Sequence, residues 1–221
     1  MKKILFPFQE DRKKQWASVF YQISEIANLN ISSILEVGGG TNLNRHIFQY
    51  LDKNIDYKVC DVKEDYKPDY LCDFQKLELD GQFDLVCAFQ ILEHNPLENL
   101  ENILVKMRSL SKKFVLISVP FNGQVLGINI NFRLFGRAFY FSKTFISKSI
   151  TTKKTDIKKI EDRVKQNPEE KYEPHYWEIG RKEMSKLRFN SYLKKLNFKI
   201  VKEYHNEIFP YHLFYLLEKS Q

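Results

Sequence analysis

The chain has 221 residues with 43% hydrophobic content, enough for one substantial core and better suited to one domain carrying an insertion than to two independent domains. Its net charge of +7 is unevenly placed: residues 1–120 hold 15 basic and 17 acidic side chains, residues 121–221 hold 20 and 11. No window approaches the roughly 18 uncharged apolar residues of a membrane span, and the apolar stretch at 4–8 is too short for a signal peptide, so a soluble, cytoplasmic protein is expected.

Between residues 9 and 29, Trp16, Val19, Phe20, Ile23, Ile26 and Ala27 recur at three- and four-residue spacing and predict an amphipathic helix packed on a core. Residues 32–37 (SSILEV) form a short apolar run stopped by three glycines. The periodic Leu43, Ile47, Phe48 and Leu51 follow, so the expectation is strand, tight turn, helix. Apolar runs at 57–62, 83–89 and 114–119 predict three more strands, with a helix over 97–110. Strands alternating with helices imply a parallel sheet. After Pro120 an irregular aromatic and basic stretch is expected, then a polar helical piece over 156–166 and the segment PHYWEIG, all read as an insertion or lid spanning 121–180. A helix over 181–196 and strands at 199–204 and 212–217 close the chain. Cys60, Cys72 and Cys87 lack CxxC spacing and sit in apolar runs, which predicts buried free thiols.

The glycine turn lies in LEVGGGTN, where a first strand would end and where parallel α/β sheets bind ligands. Glycines let the backbone turn sharply and approach a ligand without a Cβ, and the helix that follows offers free N–H groups. A dinucleotide fold wants G-x-G-x-x-G, but counting from Gly38 the last position is Leu43, so the nicotinamide reading loses its third glycine.

Glu36, Gly38 and Gly40, with Gly39 between them, instead match the [DE]-x-G-x-G-x-G pattern, and residues 32–120 resemble the class I S-adenosylmethionine-dependent methyltransferases in several ordered elements. That family is built on a three-layer α/β, Rossmann-like domain with a mostly parallel seven-strand sheet, and the resemblance implies S-adenosylmethionine as cofactor. It further implies that Asp61, 21 residues beyond Gly40, takes the ribose hydroxyls, a task suited to a carboxylate that can accept two hydrogen bonds. Asp73 and Phe74 of LCDFQ would lie near the adenine, and FDLVCAFQILEHNP resembles the family segment that would put Phe89 and Gln90 beneath the cofactor. Asp61 and Asp73 also suit turn capping. The third glycine of the pattern is Asn42, a departure that puts cofactor affinity in question although asparagine tolerates left-handed backbone.

An activated methyl group needs an acceptor held in line and, for a hydroxyl, a base. His94 of LEHNP and His175 of PHYWEIG are the candidate bases, and their presence tilts the expectation toward oxygen rather than nitrogen as acceptor atom. Tyr176, Trp177 and Glu178 are candidate acceptor or lid residues, with Trp177 equally suited to stapling the insertion to the domain. The scattered histidines give no metal-ligand pair in the sequence.

Residues 121–155 carry Arg133, Arg137, Lys143, Lys148, Lys153 and Lys154, interleaved with seven aromatic residues and no acidic one. Three readings fit: a lid over the site, contact with an anionic membrane at its inner face, or nucleic acid. Nucleic acid is disfavoured, because base-amino methyltransferases carry a [DNS]-P-P-[YF] motif where this chain has Cys87, Ala88, Phe89 and Gln90. The expected function is methyl transfer to a small-molecule, glycan or lipid-linked acceptor. The alternative is a non-catalytic peripheral membrane or scaffold protein that keeps the fold.

Overall fold

A computed structural model of the chain describes residues 10–146, 155–166 and 174–220. Lys148, Lys153 and Lys154 of the cationic stretch lie outside the described residues, as do the apolar stretch at 4–8 and residues 167–173. In chain order the elements are α1 (Glu10–Ala27), β1 (Ser33–Val37), α2 (Leu43–Leu51), β2 (Asp56–Asp61), β3 (Tyr70–Leu71), β4 (Phe83–Phe89), α3 (Leu100–Leu110), β5 (Ser111–Pro120), β6 (Val125–Leu134), β7 (Arg137–Ile146), α4 (Ile157–Gln166), α5 (Lys186–Lys195), β8 (Phe198–His205) and β9 (His212–Lys219).

Seven strands form one sheet in the order β3-β2-β1-β4-β5-β9-β8. The ladders from β3 through β5 are parallel, and β9 runs antiparallel to both β5 and β8. Helices cover both faces, which is why the central strands read as continuous apolar runs rather than alternating ones. Ile34, Leu85, Cys87 and Leu116 face one side with Ile26 of α1 and Phe48 of α2. Their neighbours Leu35, Val86, Ala88, Val115 and Ile117 face the other, against Leu104 and Met107 of α3 and Phe189 and Leu193 of α5. The result is three layers, with the strand order reversing between β1 and β4, so a crevice opens at the carboxyl ends of those strands. Among the described residues no helix is long and apolar enough to cross a membrane.

Several expectations are corrected. The stretch after Pro120 is not irregular: β6 and β7 pair as an antiparallel hairpin in register from Val125↔Ile146 to Leu134↔Arg137. The period-two pattern of LGININFRL carries that signal, and the turn is closed by Phe135 and Gly136, both left-handed. The helix expected over 181–196 begins only at Lys186, where Ser185 Oγ caps it by accepting the Arg188 N–H at 3.1 Å. Residues 97–110 open as a 3-10 turn before α3. The edge strand β3 was absent from the sequence expectation, two residues being too few to show a period.

On α1 the face is rotated from the expected one: Trp16 and Phe20 are exposed, whereas Ala17, Ser18, Gln22 and Ile26 are buried. Polar pairing explains this. Ser18 Oγ meets His212 Nδ1 at 2.8 Å, and Gln22 Oε1 accepts the Asn44 amide at 2.8 Å. Buried groups of that kind keep their hydrogen bonds, whereas an exposed aromatic forgoes only area. Cys60 and Cys87 are buried, and the half-buried Cys72 has its Sγ 3.8 Å from that of Cys60.

Candidate active site

At the carboxyl ends of β1, β2 and β4 lies a cavity of about 490 Å³, within the usual range for small-molecule sites. Gly38, Gly40, Asp61, Asp73 and Phe74 line one part of its wall, and Ile91, Leu92, His94, Asn95 and Tyr176 line another.

The glycine turn is shaped for this position. Gly38 has φ +71° and donates its N–H to Cys60 O at 2.8 Å; a Cβ there would lie 2.2 Å from Ile91 Cδ1. Gly40 has φ +51° and open space where a Cβ would stand. Asn42, at the third glycine position, adopts φ +59° as N-cap of α2, so the left-handed geometry survives the substitution. Its amide donates to Tyr66 O, which ties the turn to the segment after β2.

Asp61 ties the glycine turn to the segment that follows β2. Its Oδ2 accepts the Gly40 N–H at 3.1 Å and its Oδ1 the Lys63 N–H at 2.9 Å, while the residue lines the cavity. Asp73 both lines the cavity and caps the 3-10 turn Phe74–Lys76 by accepting the Gln75 N–H at 2.9 Å.

Other expected residues lie elsewhere. Glu36 is buried behind the turn, where its carboxylate accepts the Tyr57 hydroxyl and the Asn44 amide, each at 2.9 Å. Burial pushes its carboxyl up from the ordinary value, against the lowering effect of those two bonds. Gly39 packs toward Val59. Phe89 meets Phe214, with ring centroids 6.5 Å apart, and Gln90 bonds Ser118 through its N–H and its amide. None of these four is among the cavity-lining residues.

The two histidines, far apart in sequence, come together. Their ring centroids are 5.0 Å apart in an edge-to-face arrangement. His94, on the 3-10 turn Leu92–His94, has Nδ1 3.1 Å from Pro174 O, which fixes that nitrogen as the N–H donor. His175 Nδ1 lies 3.0 Å from Glu178 Oε1. Glu178 also accepts the Tyr211 hydroxyl, the Asn122 amide and the Arg181 Nε–H at 2.6, 2.6 and 2.7 Å. Burial alone would raise the Glu178 carboxyl, but these four bonds outweigh it and bring it down to about 2. Burial, with Glu178 beside it, holds the Tyr211 hydroxyl well above its ordinary value, so it remains a proton donor to that carboxylate. With Glu93, the two histidines form a group of metal-ligand type whose candidate atoms all lie within 4.8 Å of one another, so they are not scattered in space.

The PHYWEIG residues divide. Tyr176 lines the cavity and donates its N–H to Glu93 O at 2.8 Å. Trp177 is fully buried, packs on Phe189 and donates its indole N–H to Asn95 O at 3.2 Å, which places it in the core rather than on the cavity wall. Tyr211, Asn122 and Arg181 escaped the sequence analysis. Tyr211 comes from the β8–β9 connection, and no spacing in the chain links it to residue 178.

Neither a family model nor a curated protein sequence matches the chain. Solved structures do. The magnesium protoporphyrin IX methyltransferase of Synechocystis PCC 6803 with bound SAH aligns over 100% of this chain and 90% of its own at a TM-score of 0.53 and 11% identity. The 1,6-didemethyltoxoflavin-N1-methyltransferase of Burkholderia thailandensis, with its toxoflavin precursor and S-adenosylhomocysteine bound, aligns over 94% and 78% at 0.54 and 11%. An O-methyltransferase family protein from the same organism aligns over 96% and 60% at 0.55 and 9%.

The fold is that of the class I methyltransferases. A methyltransferase fold with an insertion after its fifth strand describes every element above, β6, β7 and α4 lying between β5 and α5. The donor set also fits the cofactor of such a fold. Two carboxylates, Asp61 and Asp73, suit hydroxyl and amino groups; Phe74 and Ile91 offer apolar walls to a flat base; the open space at Gly40 admits a close ligand.

Proposed function

We propose that the chain is an S-adenosylmethionine-dependent methyltransferase acting on a small-molecule, glycan or lipid-linked acceptor, with oxygen as the methylated atom. The observation that carries this reading is the joint placement of Gly38, Gly40, Asp61, Asp73 and Phe74 on one cavity whose other wall holds His94. Asp61 and Asp73 would hold the ribose and the adenine side of the cofactor, with Phe74 against the base. The cofactor supplies a methyl group already activated on a sulfonium, so the protein's share is to position the acceptor and manage its proton.

His94 is the group placed to take that proton. Its Nδ1–H is committed to Pro174 O, so Nε2 keeps the lone pair in the neutral ring. His175 acts as a positioning residue: it packs edge-on against His94 and is held by an ionised Glu178, itself fixed by Tyr211, Asn122 and Arg181. Tyr176 stands on the same cavity as a candidate acceptor contact. The oxygen preference rests on this histidine pair, since a neutral amine would need no base. The non-catalytic alternative rests on Asn42 and on the cationic aromatic segment; the left-handed backbone at Asn42 supports the catalytic reading at the first of these.

The test incubates the full chain with methyl-tritiated S-adenosylmethionine and a panel of phenols, carboxylic acids, sugars and primary amines. Label on an oxygen acceptor, lowered by a factor on the order of 100 or more in His94→Ala, supports the reading. Transfer to amines alone, unchanged in His94→Ala, overturns the assignment of oxygen and base.

A further inference from the structure

The β6–β7 hairpin presents two unlike sides. Leu126, Ile130 and Phe132 of β6 stand opposite Phe145, Phe141 and Phe139 of β7 and share one side, and each is exposed. Phe132 and Phe139 stack with centroids 5.1 Å apart. The other side carries Asn129 and Tyr140, which reach Glu207 in the β8–β9 connection: Asn129 donates to the Glu207 carbonyl at 3.5 Å, and Tyr140 to its carboxylate at 2.6 Å. The polar side therefore rests on the protein while the apolar side faces outward. At the tip Phe135 is 94% exposed.

A two-stranded ribbon with so much uncovered apolar area is an unusual thing to leave in water, where hairpins are at best marginal and large apolar patches mark contact surfaces. None of its residues lines the cavity, so its outer side is not a wall of the candidate active site. We infer that this side of the hairpin docks on an anionic lipid bilayer, with Phe135 and its apolar neighbours entering the interface and Arg137 and Lys143 meeting acidic headgroups.

Charge decides the occupant. The apolar side also carries Lys143, opposite Ile128, and Arg137, opposite Leu134, and residues 121–155 contain no acidic side chain. A second copy seated on the same side by two-fold symmetry would bring like charges together with nothing to neutralise them, whereas acidic lipid supplies the counter-charge and the apolar layer at once. Nucleic acid would match the cations and leave the six paired apolar side chains without a partner. The inference concerns the hairpin alone and stands whatever the cavity binds.

Flotation of the full chain with phosphatidylcholine vesicles, with and without phosphatidylglycerol, tests it. The expected result is binding to the acidic vesicles at least about tenfold stronger than to the neutral ones. That binding should be lost in Phe135→Ser/Phe139→Ser and in Arg137→Gln/Lys143→Gln, with circular-dichroism melts like the parent's. A chain that stays in the soluble fraction with both vesicle types overturns the inference, as do variants that float like the parent. Light scattering that finds a dimer dissociated by Phe135→Ser/Phe139→Ser, in a chain that ignores vesicles, assigns the face to a second copy instead. Should the double variants misfold, Phe135→Trp reads the tip directly: a blue shift on adding acidic vesicles, beyond that of the parent's own tryptophans, is expected, and its absence overturns the inference.

Discussion

Oε1 of Glu178 lies 3.0 Å from Nδ1 of His175. A carboxylate at that nitrogen makes it the N–H donor and holds the ring against His94, so Glu178 works through a histidine rather than on a substrate. Replacing it with glutamine keeps the volume and removes the charge. Glu178→Gln is expected to lower kcat for methyl transfer by a factor on the order of ten and to move the pH profile of kcat, leaving S-adenosylhomocysteine affinity nearly unchanged. A parallel loss of cofactor affinity would assign Glu178 a place in the binding wall instead.

The same carboxylate should leave a mark on acid stability. Its folded value near 2 is below the ordinary 4.5, so its contribution is fully present above pH 4.5 and is lost as pH falls toward 2. The contribution amounts to at most about 3 kcal/mol. Thermal melts between about pH 5 and about pH 2 should fall more steeply for the parent than for Glu178→Gln.

His212 acts in a higher window. Burial, with His175 nearby, lowers it from 6.5 to about 4, so the folded protein holds it neutral while the unfolded chain takes up a proton. Stability from this group is present above about pH 6.5 and declines as pH falls to about 4. His212→Gln should flatten the melting temperature over that interval, and an unchanged slope would show that His212 is not the titrating group.

Trp177 separates packing from recognition. It is fully buried on Phe189, so Trp177→Ala should cost about 3–5 kcal/mol in urea unfolding. Trp177→Phe keeps most of the ring and should lose about 1–3 kcal/mol through the unpaired Asn95 carbonyl. A stable Trp177→Ala protein impaired only in methyl transfer would return the residue to the acceptor site.

How far the sequence could be read depended on whether the signal was local. Gly38 and Gly40 of the turn, Asp61 at the end of β2 and Asp73 before Phe74 are each set by a strand end and a few neighbours, and these four line the cavity. Glu36 shares that spacing, but Tyr57 and Asn44 capture its carboxylate from other elements. The same holds for Trp16 and Phe20, whose helical period identifies a helix but not which face the Ser18–His212 and Gln22–Asn44 bonds will turn inward. The pairing of His94 with His175 and the arrival of Tyr211 depend on loops meeting across the top of the sheet, which no periodicity encodes. The hairpin's alternation in LGININFRL was hidden because the interleaved aromatic and basic residues of 121–155 give an irregular pattern along the chain, and only the β6–β7 register sorts them onto two sides.

The central claim is that the cavity bounded by Gly40 and Asp61 holds S-adenosylmethionine, and isothermal calorimetry with S-adenosylhomocysteine tests it most directly. The account predicts micromolar binding to the full chain, weakened at least about tenfold by Asp61→Ala through loss of a charged acceptor. A folded parent chain that gives no heat with S-adenosylhomocysteine, or one whose affinity is untouched by Asp61→Ala, would contradict it.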